Sequence, residues 1–339
     1  MSLSGKPLVI INSLKDNPKD LEGQIYNAAK VIGLDKEAKE VKTVFIKPNL
    51  TYPVFKKGVT TRVEFIRALV GTLKKYNPDL EIYIGEGEGG YNSFSMTEAL
   101  RTMKFMDLEK EFPRVKIVNL SNLPVKEVFI DTPKGDYSVN IPDIFLQKID
   151  FSITCPVPKI HCITRVSLSI KNQWGCLPDT MRMKNHYMFN QIVSKICDLL
   201  KFKYAFLDGK YGLNRNGPMV GDPLEVNWFA ASNSLGAFDM SVTKMMGFDW
   251  RKVRHLKVLA NLGCLPDTRD IEIIGDIGRL KRKFVLKRDF WNYFPLIAFS
   301  SRKITYFFYF SRWAKLLHGI MYAFRKRPID SDGFKRNAI

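Results

Sequence analysis

Histidine is scarce in this chain, with four in 339 residues, and two of the four, His161 and His186, fall within one short stretch. Cysteine is sparse as well. The five cysteines, Cys155, Cys162, Cys176, Cys197 and Cys264, are odd in number and include neither a CxxC pair nor a ferredoxin-type run. That spacing argues against a disulfide framework and gives no support for an iron–sulfur cluster, so reduced thiols in a cytosolic protein are expected. The start, Met-Ser-Leu-Ser-Gly-Lys-Pro, lacks the apolar stretch of a signal peptide, so the N-terminus is expected to stay in the cytoplasm. No internal repeat and no low-complexity linker interrupts the chain before residue 275.

What is present is enough for a substantial core. With 45% hydrophobic residues, the length allows one large α/β domain or two smaller ones. From Leu8 to about Asn233, short β-branched or aromatic runs alternate with helical-period segments, the pattern of strand–helix–strand units. Strands are predicted over Leu8 to Ile11, Thr43 to Ile46, Glu81 to Ile84, Val115 to Val118, Phe151 to Thr154, Tyr204 to Leu207 and Trp228 to Ala231. Helices are predicted over Thr61 to Tyr76, Ser95 to Phe105, Met188 to Leu200 and Trp250 to Leu262. In the first of these, Thr61 and Glu64 read as a capping box, and Phe65, Ala68, Leu69, Thr72 and Leu73 as the inward stripe. The expected fold class is α/β, a mixed or mostly parallel sheet with helices on both faces. It covers residues 1–275, and a basic, aromatic, helical C-terminal tail covers 276–339.

Several predicted strands end in polar or glycine-rich loops, where open α/β sheets bind ligands. Ile46 runs into Lys47-Pro48-Asn49, Ile84 into Gly85-Glu-Gly-Glu-Gly-Gly90, Thr154 into Cys155-Pro-Val-Pro-Lys159, and Leu207 into Asp208-Gly209. His161, Lys171 and His186 follow, flanked by Pro156, Pro158, Gly175 and Pro178. Imidazole both takes and gives a proton near neutral pH, and its neutral form is a common metal ligand. The plainer alternative is a satisfied structural histidine beside a surface lysine. Gly85, Gly87 and Gly90 match GxGxxG, but Glu86 and Glu88 would set carboxylates against a pyrophosphate. A metal-ligand or acid/base role for Glu86 or Glu88 fits better, with a solvated acidic turn as the alternative. Lys47, Asn49, Thr61, Lys159, Arg165, Asn172 and Asp208 offer cationic and hydrogen-bonding contacts to an anionic substrate. Asp239 reads as support for the positive end of the helix that follows it.

The net charge is +19, and most of it is local. Between Arg279 and Arg327 there are thirteen Lys or Arg against one acid, Asp289, so this stretch carries +12. Its aromatics include Phe290, Trp291, Tyr306, Phe307, Phe308 and Trp313. Its longest uncharged run, Phe290 to Ser301, is too short to span a bilayer. On a helical wheel, Thr305, Arg312, Lys315 and Gly319 form a narrow polar stripe. Such a segment suits the surface of an anionic leaflet, through Lys281, Arg282, Lys283, Trp291, Arg302, Lys303, Trp313, Arg325, Lys326 and Arg327. Packing on the protein body or on a second copy of the chain is the competing reading. No nucleic-acid-binding motif accompanies the charge, so sequence-specific recognition of nucleic acid is not expected.

Read in order, Lys47-Pro-Asn49, Thr60-Thr-Arg-Val-Glu64, the Gly85-Glu86 loop, Pro158-Lys-Ile-His161 with Ser167, Lys171-Asn172, Gly175, His186, Asp208-Gly209, Gly217-Pro218 and Asp239 resemble the family called domain of unknown function 362. The resemblance covers about residues 40 to 250 and leaves the tail outside. Some members of that family carry ferredoxin-like cysteine motifs, which this chain lacks. The spacing of His161, Lys171 and His186 is also similar to that of the nickel-pincer lactate racemase family. That likeness implies Lys171 as the tether of a nickel-bearing pyridinium nucleotide, His186 as the metal ligand and His161 as an acid/base. Where that family has a further catalytic histidine after a strand end, this chain has Glu86 and Glu88. A divalent metal is therefore the cofactor expectation ranked above the nickel nucleotide.

Together these features read as an enzyme using acid/base chemistry, metal-assisted or not, on an anionic small molecule such as a hydroxy acid or a phosphorylated metabolite. Lys171 and Lys47 would anchor it, with His161, His186 and Glu86 moving protons or holding metal, at the cytoplasmic membrane surface. A non-catalytic anion-binding protein and a membrane-tethered scaffold in envelope or glycan biosynthesis are the competing classes.

Overall fold

The computed structural model describes residues 6–15, 20–89, 94–132, 135 and 137–324. Gly90 of the glycine-rich loop and the tail cations Arg325, Lys326 and Arg327 lie outside these residues. Twelve strands are found among them: β1 (Leu8–Ser13), β2 (Thr43–Lys47), β3 (Glu81–Glu86), β4 (Val115–Asn119), β5 (Val125–Ile130), β6 (Tyr137–Pro142), β7 (Phe151–Thr154), β8 (Lys159–His161), β9 (Arg165–Ser167), β10 (Phe202–Asn214), β11 (Asp222–Ser232) and β12 (Glu272–Ile274). The helices of the body are α1 (Leu21–Val31), α2 (Leu34–Glu40), α3 (Val63–Tyr76), α4 (Met96–Thr102), α5 (Leu108–Glu111), α6 (Asp143–Gln147), α7 (Ser169–Asn172), α8 (Phe189–Leu199), α9 (Leu235–Met245) and α10 (Arg254–Asn261). The tail contributes α11 (Ile277–Leu280), α12 (Phe290–Ala298), α13 (Arg302–Phe310) and α14 (Ala314–Phe324).

The main sheet runs β12-β1-β11-β10-β7-β2-β3-β4, with β8 and β9 attached at β10. Pairing is parallel from β10 through β4 and antiparallel at β1–β11 and β10–β11. Side chains alternate between two cores, as period-two burial requires. Ile10, Val44, Ile46, Ile82 and Ile84 pack with Ile25, Phe65, Leu69, Leu73 and Leu100 of α1, α3 and α4. Their neighbours Val9, Ile11, Phe45 and Tyr83 pack on the other face with Phe145, Phe189, Ile192, Phe238 and Leu256. The fold is thus an α/β, mostly parallel mixed sheet covered on both faces, as its alternating pattern predicts.

Differences from the sequence reading have local causes. Helix α3 starts at Val63 without a side-chain cap. The Thr61 hydroxyl is used across the rim instead, accepting from Asn49 N at 2.8 Å and donating to the Cys155 carbonyl at 2.8 Å. Strands β10 and β11 extend well beyond their apolar halves into polar segments, so Asp208 lies within β10 rather than ending a strand, and the bulge comes at Gly209–Tyr211. The predicted helix at Trp250 divides, because Asp249 caps a short 3-10 turn before α10 begins.

Residues 276–324 lie against the body. Leu280 and Phe284 are core residues, and the backbone of Arg282 and Phe284 donates to the carbonyls of Met245 and Met246. No helix among the described residues is long and apolar enough to cross a membrane. The stripe predicted on one helix is split between α13 and α14, and Thr305 is buried, its hydroxyl 2.8 Å from the Ala298 carbonyl.

Phe45, on β2, meets Phe145 edge-on at 4.7 Å and Phe202 at 6.4 Å. Phe45→Ala is expected to cost about 3–5 kcal/mol of stability in a denaturant titration, and a cost under about 1 kcal/mol would place this ring outside the core.

Candidate active site

The carboxyl ends of β2, β3 and β7 form one rim, and polar residues fasten the chain above it. Lys47 and Glu86, neighbours at the ends of β2 and β3, form a buried ion pair at 2.9 Å. Lys47 Nζ also donates to the Pro48 carbonyl at 2.6 Å, while Glu86 accepts from Leu50 N at 2.5 Å. Asn172 at the end of α7 donates to Thr154 Oγ1 at 3.0 Å and to the carbonyls of Lys47 and Pro48. Gly87 N donates to the Gly175 carbonyl at 2.8 Å. A Cβ at residue 175 would overlap Glu86 Oε1 and come within 3.1 Å of Lys47 Nζ, so a side chain there would have to displace the ion pair.

Most of the predicted substrate contacts belong to this scaffold. Lys159 is fully buried, and its nitrogen reaches Asn49 Oδ1 at 2.8 Å, Val59 O at 2.9 Å and Thr51 Oγ1 at 3.0 Å, which leaves it no free hydrogen for a ligand. Burial lowers its pKa to about 7. Asp208 accepts three bonds from Arg62, through the backbone N, Nε and Nη2. Glu88 accepts from Met96 N at the start of α4 and from Asn119, and Arg165 lies over the Phe248 ring. Glu86 and Glu88 are therefore engaged away from His186. Among the described residues no three His, Cys, Asp or Glu side chains gather as a metal ion requires.

The candidates left unsatisfied converge on one aromatic ring, Phe189, the first residue of α8. Lys171 Nζ lies 5.2 Å from its centroid, His186 stacks on it at 6.1 Å, and His255 meets it edge-on at 5.7 Å. Trp174 touches both Phe189, at 5.1 Å, and His186, at 5.5 Å. Among the described residues, His186 Nδ1, both nitrogens of His255 and Trp174 Nε1 are buried without a hydrogen-bond partner. Lys171 is 9% exposed and forms no ion pair among the described residues. Native structures rarely leave such atoms unpaired, and a cluster of them marks a place for a ligand or ordered water.

His161 stands apart in one respect. Its Nδ1 accepts from the backbone of Ile163 at 3.1 Å and Thr164 at 3.4 Å, closing the β8–β9 turn. An accepting Nδ1 puts the proton of the neutral ring on Nε2. The cluster holds its imidazoles neutral. Burial, and then the charge of Lys171, pushes His161 and His186 well below the ordinary histidine range and His255 to about 3. Burial and the Arg182 guanidinium lower Lys171 to about 8.

Sequence reading missed His255, Trp174 and Arg182, and it misread Asp239. Arg182 donates to the carbonyls of Gly87, Glu88 and Leu177, tying the β3 loop to the segment above it. Asp239 lies inside α9 and serves a different helix. Its carboxylate takes Ser169 Oγ at 2.5 Å, Ser169 N at 2.9 Å and Ile170 N at 3.2 Å, so it holds the first turn of α7, the turn that presents Lys171. Burial raises it to about 7 against the pull of those bonds.

The lysine shift fixes a pH dependence. An unfolded lysine keeps its charge to about pH 10.4, whereas folded Lys171 loses it near 8, so the folded state bears the full cost of the charge below pH 8. Stability should rise from about pH 8 to 10.5. Lys171→Met should reduce that rise, the remainder coming from buried Lys159, and add on the order of 3 kcal/mol at neutral pH. Denaturant titrations across this range check both, and a variant no more stable than the parent at pH 7 would contradict the buried charge.

Three relatives of known name or structure can be set beside this chain. A "thylakoid-associated protein" of Synechocystis is 27% identical over 129 residues, 36% of this chain and 40% of that protein, so the match spans less than half of the relative. The lactate racemase apoprotein of Thermoanaerobacterium thermosaccharolyticum aligns at a TM-score of 0.45 and 12% identity, over 78% of this chain and 58% of that one. A Thermotoga maritima protein aligns at 0.30 and 12%, over 57% of this chain and 51% of its own. Residues 44–244 match the family described as Domain of unknown function (DUF362), more than half of the chain and the whole span from β2 to α9, and the chain therefore belongs to that family.

Proposed function

We propose that this protein is an enzyme that carries out acid/base chemistry on a small anionic molecule held beside Phe189, and that it works at a membrane surface. One observation carries the chemistry. Lys171, Trp174, His186 and His255 bring an amine, an indole N–H and three unpaired imidazole nitrogens to one buried ring, without a carboxylate to balance the lysine. An unpaired buried ammonium costs several kcal/mol, and a ligand carboxylate or phosphate offsets that cost. The same negative charge raises the basicity of the surrounding imidazoles, so substrate binding itself draws His186 back toward the range where it exchanges protons. Lys171 is the anchor. His161, whose Nδ1 accepts from the turn, presents its Nε2–H as a hydrogen-bond donor to the bound anion, and His186, whose Nδ1 has no hydrogen-bond partner among the described residues, is the proton carrier. A hydroxy acid and a phosphorylated metabolite both supply the required charge.

The membrane reading rests on the tail, whose described helices carry exposed aromatics between Arg302, Lys303, Arg312 and Lys315. The name of the Synechocystis relative, which places that protein at a membrane, points the same way.

Calorimetric titration with lactate and with glycerol 3-phosphate tests the site. Lys171→Met should weaken binding of both about 30-fold or more, while His186→Gln keeps affinity for lactate within about threefold and abolishes exchange of its C2 hydrogen with D2O. If neither anion binds the parent chain at millimolar concentration, the site reading fails. Flotation tests the tail: the protein should rise with phosphatidylglycerol vesicles in low salt and be released in high salt, and indifference to both lipid charge and salt would refute the membrane half.

A further inference from the structure

The tail has two faces, and both bear on the site. Its inner face covers the cluster. Phe299, buried at the end of α12, lies 5.6 Å from His186 and stacks on Tyr309 of α13 at 5.2 Å. Arg288 Nε donates to the Cys162 carbonyl at 2.8 Å, one residue beyond His161. Asn216 donates to Asp289 at 3.0 Å, fixing the start of α12 on the β10–β11 connection. The outer face of the same helices is apolar and cationic. Phe290 is 79% exposed, Tyr306 63% and Leu316 55%, and no acidic residue occurs between Phe290 and Phe324.

We infer that the anion taken at Lys171 is the headgroup of a membrane-resident amphiphile, carrying a phosphate or carboxylate, which reaches His186 past Phe299 while its apolar part stays against α12–α14. This rests on the anion site proposed above. A water-borne anion would have to pass the stacked rings of Phe299 and Tyr309 to reach His186. An amphiphile in a bilayer already sits at that cover, its chain among aromatic side chains and its charge beside arginine and lysine. The cations match an acidic lipid surface and the rings match its hydrocarbon boundary, so one segment both selects the phase in which substrate lies and closes the site that receives it.

Rate-limited acetylation of Lys171 by a water-soluble acylating reagent, read by peptide mass spectrometry across pH, tests the idea on the full chain. Three probes are compared: phosphatidylglycerol vesicles, phosphatidylcholine vesicles and free glycerol 3-phosphate. An anion beside the amine moves the labelling midpoint upward by about one pH unit, whereas mere covering slows labelling without moving the midpoint. The expected result is an upward shift with phosphatidylglycerol at a phosphate concentration where glycerol 3-phosphate produces none, and no shift with phosphatidylcholine. Higher glycerol 3-phosphate should shift it as well. The combined substitution Phe290→Ser, Tyr306→Ser and Phe310→Ser, at exposed positions, should abolish the vesicle effect and keep the glycerol 3-phosphate effect. A shift by glycerol 3-phosphate at the same or lower concentration than by phosphatidylglycerol overturns the lipid inference and leaves the anion site standing. Slowing by vesicles without a shift also overturns the inference. No shift with any probe overturns both.

Discussion

A lysine and a glutamate buried side by side at the ends of two neighbouring strands set the height of everything above the sheet. Lys47 and Glu86 are nearly inaccessible to water, and each is also held by the backbone, Lys47 at Pro48 and Glu86 at Leu50. Removing one partner from such a pair typically costs 3–5 kcal/mol, because the other charge is stranded. The pair is roofed by Gly175, where a side chain would have to displace it, and the Gly87–Gly175 hydrogen bond ties the roof to β3. Asn172 and Asp239 then hold α7 from its two ends. Lys171 lies between these fastenings, so its amine is placed by residues whose polar atoms bond to one another and to the backbone.

The polar residues of the rim divide into two groups with opposite electrostatics. In the lower group every charge has its complement: Lys47 with Glu86, Arg62 with Asp208, Lys159 with three oxygens. The upper group has nitrogen without oxygen. Satisfied buried networks make a structure rigid and unique, while unsatisfied ones cost stability unless something else binds. The two groups are adjacent, which is the arrangement a binding site needs: a rigid floor that holds uncompensated groups in place against their own desolvation cost.

Much of this fold is legible in the chain. Strands β1 to β4 and β7 announce themselves by β-branched runs, and α3 by the spacing of Phe65, Leu69 and Leu73. The β5–β6 and β8–β9 hairpins escape because their strands are short or mixed in polarity, and β12 is three exposed residues. At the site, sequence order identifies the right segment but not which lysine is free. Lys159 and Lys171 look alike until the oxygens around Lys159, supplied by Asn49, Thr51 and Val59 about a hundred residues away, are seen. His255 is distant in sequence from the other two imidazoles and reaches Phe189 only because α10 packs on α8. Its single signal is a histidine on the apolar stripe of its helix, beside Leu256 and near Leu259, a position where a lone imidazole usually means core.

The tail is the part whose composition and geometry pull apart. Read as composition, its aromatics and cations describe one amphipathic arm. Folded, Ser301 caps α13 and the chain turns again at Ser311, so the segment becomes three short helices that present an inner and an outer surface. Thr305, expected on a polar stripe, is turned inward to the Ala298 carbonyl, and Phe299 is drawn over His186. Because Arg282 and Phe284 pair with the backbone of Met245 and Met246, and Asp289 with Asn216, these helices are mounted on the body at several points. Helices mounted in this way hold their outer face in a set direction relative to the histidine cluster, and Phe299 is where the inner face meets it.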